Sequence, residues 1–259
     1  MPQPTGPRRF PRRKAHENLV FGRQPVLALL EGEQDVDRVL IQGGAQGDVI
    51  QDIRDAARKR RVPVRTVPRE KLNALTGGQH QGAIAFASPI RFQDLGDVLS
   101  LVIESGEAPL IIVLDGVQDV RNLGAIARTA WAAGAHALVI PAQDGAPVNA
   151  DAVKTSAGAL QEMPVCRSFD LHETLQELKL HGLAIWGAEA KGDHRPDGED
   201  LTLPTAIILG GESSGLDPEL RQDMDGLMGL PMAREFESYN VGVAAGMLLY
   251  EAQRQRSDA

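Results

Sequence analysis

Thr205-Ala-Ile-Ile-Leu209, running into Gly210-Gly-Glu-Ser-Ser-Gly-Leu216, is the stretch on which the fold turns. The five-residue apolar run is short and β-branched, as a strand buried on both faces of a parallel sheet should be. The glycine-rich segment is its exit turn, and a short helix is expected from Asp217. A further strand is expected to end at Gly229-Leu-Pro-Met232, with a loop to Ser238 and a helix from about Asn240 to Arg254. That last segment is too long for a strand, and its basic end suits a helix C-terminus. Two loops at the carboxyl ends of neighbouring strands are where an open α/β sheet usually binds its ligand.

Upstream, the same alternation runs back to Leu110. Leu110-Ile-Ile-Val-Leu114 is a continuous apolar strand, followed by a polar loop from Asp115 to Asn122. Asn122 can cap a helix over Leu123–Ala133 that stops at Gly134. Strands at Ala137–Ile140, near Val165 and at Leu183–Gly187 alternate with helices over Asn149–Gly158 and Leu171–Leu180. Such alternation makes a parallel sheet covered on both faces.

The first third repeats the pattern on a smaller scale. A helix around Val26–Leu30 ends near Gly32, and Arg38–Ile41, Val62–Val67 and Ala83–Phe86 read as strands. A helix over Asp48–Arg61 puts Val49, Ile53, Ala56 and Ala57 on one face, with Asp48 at its start and Arg58 to Arg61 at its end, as the helix dipole prefers. The expected organisation is a small α/β domain over residues 16–88, a linker over 89–109 around a short amphipathic helix near Asp94–Glu104, and a second domain over 110–259. The turn from Gly77 to Gly82 carries His80, which can serve the turn or face RNA. Residues 1–15 hold Arg8, Arg9, Arg12, Arg13 and Lys14 without an acid, and are expected to be a disordered basic tail. That tail is either a solvated solubility element or a phosphate-binding arm.

The net charge of −8 over 259 residues argues against a uniformly basic nucleic-acid coat. Cys166 is the only cysteine, which excludes an internal disulfide framework and fits a reducing cytosol. No apolar run approaches the roughly 18 residues of a membrane span, and the start lacks the apolar core of a secretory signal. A cytoplasmic protein is expected.

Neither common phosphate-loop fingerprint occurs, and no elbow or cysteine–histidine pair suggests a covalent nucleophile. No cluster of His, Cys and carboxylates has metal spacing, so no metal is expected. What remains is a ligand crevice with polar groups on three loops: Asn122 and Arg128, then Glu212, then Ser238 and Asn240. Each has an ordinary alternative. Asn122 can be a cap, Arg128 a surface ion-pair partner, Glu212 a turn acceptor, and Ser238 with Asn240 the cap of the last helix.

Taken together, the three loops resemble the SpoU–TrmH family of S-adenosylmethionine-dependent RNA ribose 2′-O-methyltransferases, in the trefoil-knot superfamily. The first motif is Leu114-Asp-Gly-Val-Gln-Asp-Val-Arg-Asn-Leu-Gly-Ala-Ile-Ala-Arg-Thr-Ala130 and the second is Ile208-Leu-Gly-Gly-Glu-Ser-Ser-Gly-Leu216. The third is Leu230-Pro-Met232 followed by Ser238-Tyr-Asn-Val-Gly-Val-Ala-Ala-Gly246. Phe21-Gly-Arg-Gln-Pro-Val26 and His80-Gln-Gly-Ala-Ile-Ala85 resemble the L30e-like substrate-binding domain of the branch that modifies large-subunit rRNA.

The resemblance implies an α/β chain whose C-terminal parallel sheet is threaded into a trefoil knot. It implies S-adenosylmethionine bent against the knot and held largely by main-chain groups, large-subunit rRNA as substrate, and a homodimer. Position by position, Gly210, Leu230 and Tyr239 match cofactor contacts, with Glu212 and Met232 close by. Asn122, Arg128, Ser238 and Asn240 match the polar group around the methyl-transfer centre. Three positions depart from the pattern: Arg234 stands where glycine is usual, Tyr239 where leucine is, and Gly242 where serine is.

Overall fold

The structure is a computed structural model that describes residues 18–258 apart from Ser213 and Glu235. The basic tail expected over residues 1–15 lies outside the described residues. The first unit comprises β1 (Leu19–Phe21), α1 (Arg23–Glu31), β2 (Val36–Gln42), α2 (Asp48–Lys59), β3 (Val64–Val67), α3 (Arg69–Thr76) and β4 (Ala83–Ala87). Its strands lie in the order β1-β4-β2-β3, with β2 and β3 parallel and the other pairs antiparallel. Ile50, Ile53 and Ala57 of α2 pack with Val26, Leu30, Val39 and Ile41 to form its main core.

The second unit comprises β5 (Phe92–Gln93), α4 (Leu95–Glu104), β6 (Leu110–Asp115), α5 (Val120–Ala132), β7 (Ala137–Pro141), α6 (Ala150–Thr155), α7 (Ala159–Glu162) and β8 (Val165–Ser168). It continues with α8 (Leu171–Leu180), β9 (Ala184–Ala188), β10 (Thr205–Gly210), β11 (Gly226–Met228) and α9 (Val241–Asp258). Seven strands form one sheet in the order β11-β9-β10-β6-β7-β8-β5, and every pair is parallel. The two-residue period of a strand divides β6 between the faces. Leu110, Ile112 and Leu114 pack with Leu123, Ile126, Ala245 and Leu248 of α5 and α9. Ile111 and Val113 pack on the opposite face with Leu99, Leu175 and Leu178 of α4 and α8.

Several expected boundaries move. The stretch read as a linker is built into the second unit: Phe92 and Gln93 pair with β8, and Leu95, Val98 and Leu99 join a core. The helix over Asn149–Gly158 breaks where Ala157 and Gly158 take positive φ, giving α6 and α7. The helix from Asp217 is one 3-10 turn, Leu220–Asp223, and the strand before Leu230 stops at Met228. Most consequential, α5 starts at Val120, because the Asp119 carboxylate accepts the Arg121 N–H at 2.7 Å. Asn122 therefore lies inside the helix and is not its cap.

One crossing positions the rest. β11 pairs with β9 on one edge, and Met228 bridges to His194 on the other. His194 N–H donates to Leu227 O at 3.0 Å, Gly229 N–H to His194 O at 2.8 Å, and Glu189 N–H to Met228 O at 3.0 Å. Consecutive pieces of one stretch of chain thus grip β11 on both edges. A Cβ on Gly192 would stand 2.5 Å from Leu227 O, and one on Gly229 would stand 2.5 Å from Gly192 O. Only glycine at both positions lets the backbones approach so closely.

Candidate active site

A cleft of 590 Å³ opens at the carboxyl ends of β9, β10 and β11. Leu209, Met228, Leu230, Val241 and Leu248 give it apolar walls, and Gly210, Glu212, Ser238, Tyr239 and Asn240 also line it. Six of the residues expected at the site therefore share one cavity. The turn after β10 is fixed locally and from β6. Gly215, at φ +65°, donates its N–H to Gly211 O at 2.9 Å. The half-buried Asp115 carboxylate accepts the Asp217 N–H at 2.7 Å, and burial raises its pKa above the usual carboxylate value.

The polar groups of three loops are joined in series. Asn122 Nδ2 donates to Glu212 Oε1, and Asn240 Nδ2 donates to Asn122 Oδ1 at 3.3 Å. Asn240 Oδ1 accepts the N–H groups of Gly242 at 3.0 Å and Val243 at 3.3 Å, so Asn240 caps α9 and belongs to the series as well. Asn122 is free for this because Asp119 does the capping of α5.

Two expected residues stand apart. Met232 does not line the cleft. Arg128 is on the exposed side of α5 and, among the described residues, has neither a hydrogen bond nor an ion pair. Six helical positions separate it from Asn122, roughly 9 Å along the axis and on a different face.

The departures from the family pattern acquire physical content. Tyr239 Oη donates to Pro231 O at 3.2 Å and ties the two ends of the loop that walls the cleft. A Cβ on Gly242 would stand 3.3 Å from Asn240 Oδ1, so glycine relieves crowding at the capping amide. Arg234 is not among the described non-glycine residues with positive φ. Sequence reasoning missed Glu189, Glu237 and Arg221, which also line the cleft. Glu189 follows the last residue of β9, a position that could have been flagged; Arg221 sits in a turn with no such signal.

A two-unit α/β protein with a ligand cleft at the carboxyl ends of a parallel sheet belongs to the broad class of α/β enzymes that bind nucleotide-like ligands at strand ends. The SpoU rRNA Methylase family model matches residues 109–250, and the model described as RNA 2′-O ribose methyltransferase substrate binding matches residues 19–93. The chain belongs to the SpoU rRNA Methylase family and is an S-adenosylmethionine-dependent RNA 2′-O-methyltransferase. It is 38% identical to a 23S rRNA (guanosine-2′-O-)-methyltransferase, RlmB, from Xylella fastidiosa, over 92% of this chain and 96% of the relative. It is 33% identical to a putative TrmH family tRNA/rRNA methyltransferase, YacO, from Bacillus subtilis, with the same coverage. Among solved structures it is similar to the SpoU methyltransferase AviRb from Streptomyces viridochromogenes in complex with AdoMet. The TM-score is 0.60 at 25% identity, over 93% of this chain and 91% of that one.

The residues present fit the methyl donor. Among the described residues, the main-chain groups of Leu230, Ser238 and Tyr239 have no main-chain partner, which leaves donors and acceptors for a ligand. The apolar walls suit a purine. Glu189, Glu212 and Glu237 outnumber Arg221, which suits a ligand carrying a sulfonium and an ammonium. No group of three or more His, Cys, Asp or Glu that could hold a metal ion occurs among the described residues. No helix among them is long and apolar enough to cross a membrane.

Proposed function

We propose that this chain methylates the 2′-hydroxyl of a guanosine ribose in large-subunit (23S) rRNA, acting as a cytoplasmic homodimer. The observation that carries the reading is the hydrogen-bonded series Glu212–Asn122–Asn240, which gathers three loops beside one cleft. The substrate-binding region ahead of the catalytic unit favours rRNA over tRNA. A TrmH/SpoU tRNA modifying enzyme from A. aeolicus, 30% identical with a TM-score of 0.53, covers only 62% of this chain and 84% of its own.

The bound donor supplies a sulfonium methyl group. Gly210, Leu230 and Tyr239 hold it through main-chain atoms, with Tyr239 also fixing the loop. Asn122, Glu212, Ser238 and Asn240 form the polar wall that orients the ribose. Alignment of two reactants is worth roughly 7–11 kcal/mol, so positioning can supply most of the rate. The 2′-oxygen would bond to the methyl carbon as the methyl–sulfur bond breaks, its electron pair staying on the sulfur of the departing S-adenosylhomocysteine, and the hydroxyl proton would pass to the neighbouring RNA phosphate. Arg128 is not the base, because a guanidinium stays protonated in proteins. It clamps an RNA phosphate and stabilises the developing alkoxide. Its exposure suits a group that waits for RNA.

Gly242 and Gly246, a small-residue face on α9, are taken up within the chain: their Cβ positions lie 3.6 Å from Ala125 and 3.7 Å from Thr129 of α5. Trp131, Val243, Met247 and Tyr250 remain exposed on α5 and α9, and this apolar face is the one proposed to pair.

Incubation with labelled donor and unmodified large-subunit rRNA, small-subunit rRNA or tRNA tests the substrate. Label in large-subunit rRNA alone supports the reading, and label in tRNA alone transfers the chemistry to another substrate. Failure to label any of them leaves an RNA-binding assembly factor.

A further inference from the structure

Among the described residues, one buried side-chain nitrogen or oxygen lacks a hydrogen-bond partner: Nε of Arg221. Arg221 is also the one cationic side chain among the described residues lining the cleft. Its Nη2 stands 2.7 Å from Glu189 Oε1, and the two side chains are 35% and 29% exposed. A guanidinium offers its donors in a planar fork that a carboxylate can take two at a time. Here Glu189 occupies one arm while the buried Nε–H has no acceptor among the described residues. Native proteins leave few such donors, because each is costly.

The backbone under Arg221 is anchored. Asp223, two residues on, accepts from His172 Nδ1 at 2.6 Å and from Gln176 Nε2 at 2.9 Å, and Leu220 beside it is buried. The root of the side chain is therefore held in place at the cleft wall. Glu189, Glu212 and Glu237 line the same cleft, so the ligand group that suits Arg221 is an anion on a ligand that is otherwise cationic.

We propose that Arg221 binds the α-carboxylate of S-adenosylmethionine and makes the site select a donor that carries this group. Glu189 is the positioning residue, holding the fork at the cleft wall until the carboxylate arrives. The proposal rests on the reading of the cleft as the donor site. Among the described residues no contact fills both arms of the fork; a carboxylate entering the cleft would.

Calorimetry separates the two claims. S-adenosylmethionine is titrated beside decarboxylated S-adenosylmethionine, which keeps the adenosine, sulfonium and amine. The wild type is expected to prefer the carboxylated donor by roughly 10- to 100-fold. Arg221→Gln should bring that ratio toward one by weakening the carboxylated ligand alone, and Arg221→Lys should restore part of it. Thermal melts matching wild type establish that the variants fold. A wild type without preference, or an equal loss for both ligands in Arg221→Gln, overturns the proposal and leaves the cleft assignment standing. If neither ligand binds the wild type, the cleft assignment falls and the proposal falls with it.

Discussion

Asn122 has both ends of its amide committed, one to Glu212 and one to Asn240, whereas Arg128 is exposed and, among the described residues, uncommitted. The two should fail differently. Arg128→Ala is expected to abolish methyl transfer while calorimetry shows donor affinity close to wild type; a large loss of affinity would place Arg128 in the donor site. His80 presents a different residue-level case. It is 2% exposed, its Nδ1 accepts the Gly82 N–H at 2.9 Å, and its Nε2 meets Asn73 Oδ1 at 3.0 Å. That geometry needs the neutral ring, and burial, with Arg69 nearby, lowers its pKa. It is a structural histidine that closes a turn, not one that faces RNA. The unfolded chain takes up this proton first, so stability is intact above about pH 6.5 and declines as pH falls from there toward the lowered folded value. His172 and His194 act with the opposite sign, since hydrogen bonds to Asp223 and Glu199 raise their pKa values. Melts of wild type against His80→Gln from pH 8 to 5 isolate the effect: the wild type should lose more stability on acidification than the variant, and parallel curves would refute it.

At the scale of the element, α5 joins the site to the core. A Cβ on Gly124 would stand 2.6 Å from Thr155 Cβ and 2.9 Å from Ser156 N, so α6 and the turn after it pack directly on the α5 backbone. Gly124→Ala should destabilise the protein by roughly 1–3 kcal/mol, as overpacking does, and an unchanged denaturant midpoint would show that the contact relaxes freely. Elements with strong local signals were legible in the sequence. β6 and β10 are short apolar runs, and α9 is long with a basic residue in its last turn. Elements whose existence depends on distant partners were not. β5 is two residues long and is a strand only because β8 lies beside it, and β1 exists through its pairing with β4. At the site, the glycine-rich turn and the two asparagines stood out. The Glu189–Arg221 pair joins residues 32 positions apart, and nothing local announces it.

Across the whole molecule, Arg167 fastens one unit to the other. Its Nη2 donates to Val36 O at 2.7 Å and Asp37 O at 3.0 Å, and the guanidinium lies 3.4 Å from the centre of the Phe92 ring. Burial lowers its pKa to about 10, so it is still charged at neutral pH. Arg167→Met strands two carbonyls at a cost of roughly 1–3 kcal/mol and should split thermal unfolding into two transitions, one per unit; a single transition would show that other contacts hold the units together. Light scattering at micromolar concentration should report a dimer, and Tyr250→Glu on the exposed α9 face should yield monomers. The central claim is that the joined loops carry a methyl group from S-adenosylmethionine to a ribose oxygen of large-subunit rRNA. Complete alkaline hydrolysis of rRNA labelled by the protein tests it most directly, because a 2′-O-methyl group blocks cleavage at its own nucleotide. The label should be recovered in one alkali-resistant dinucleotide and be missing when Asn122→Ala replaces the wild type. Label recovered on mononucleotides, as a base methylation would give, contradicts the account.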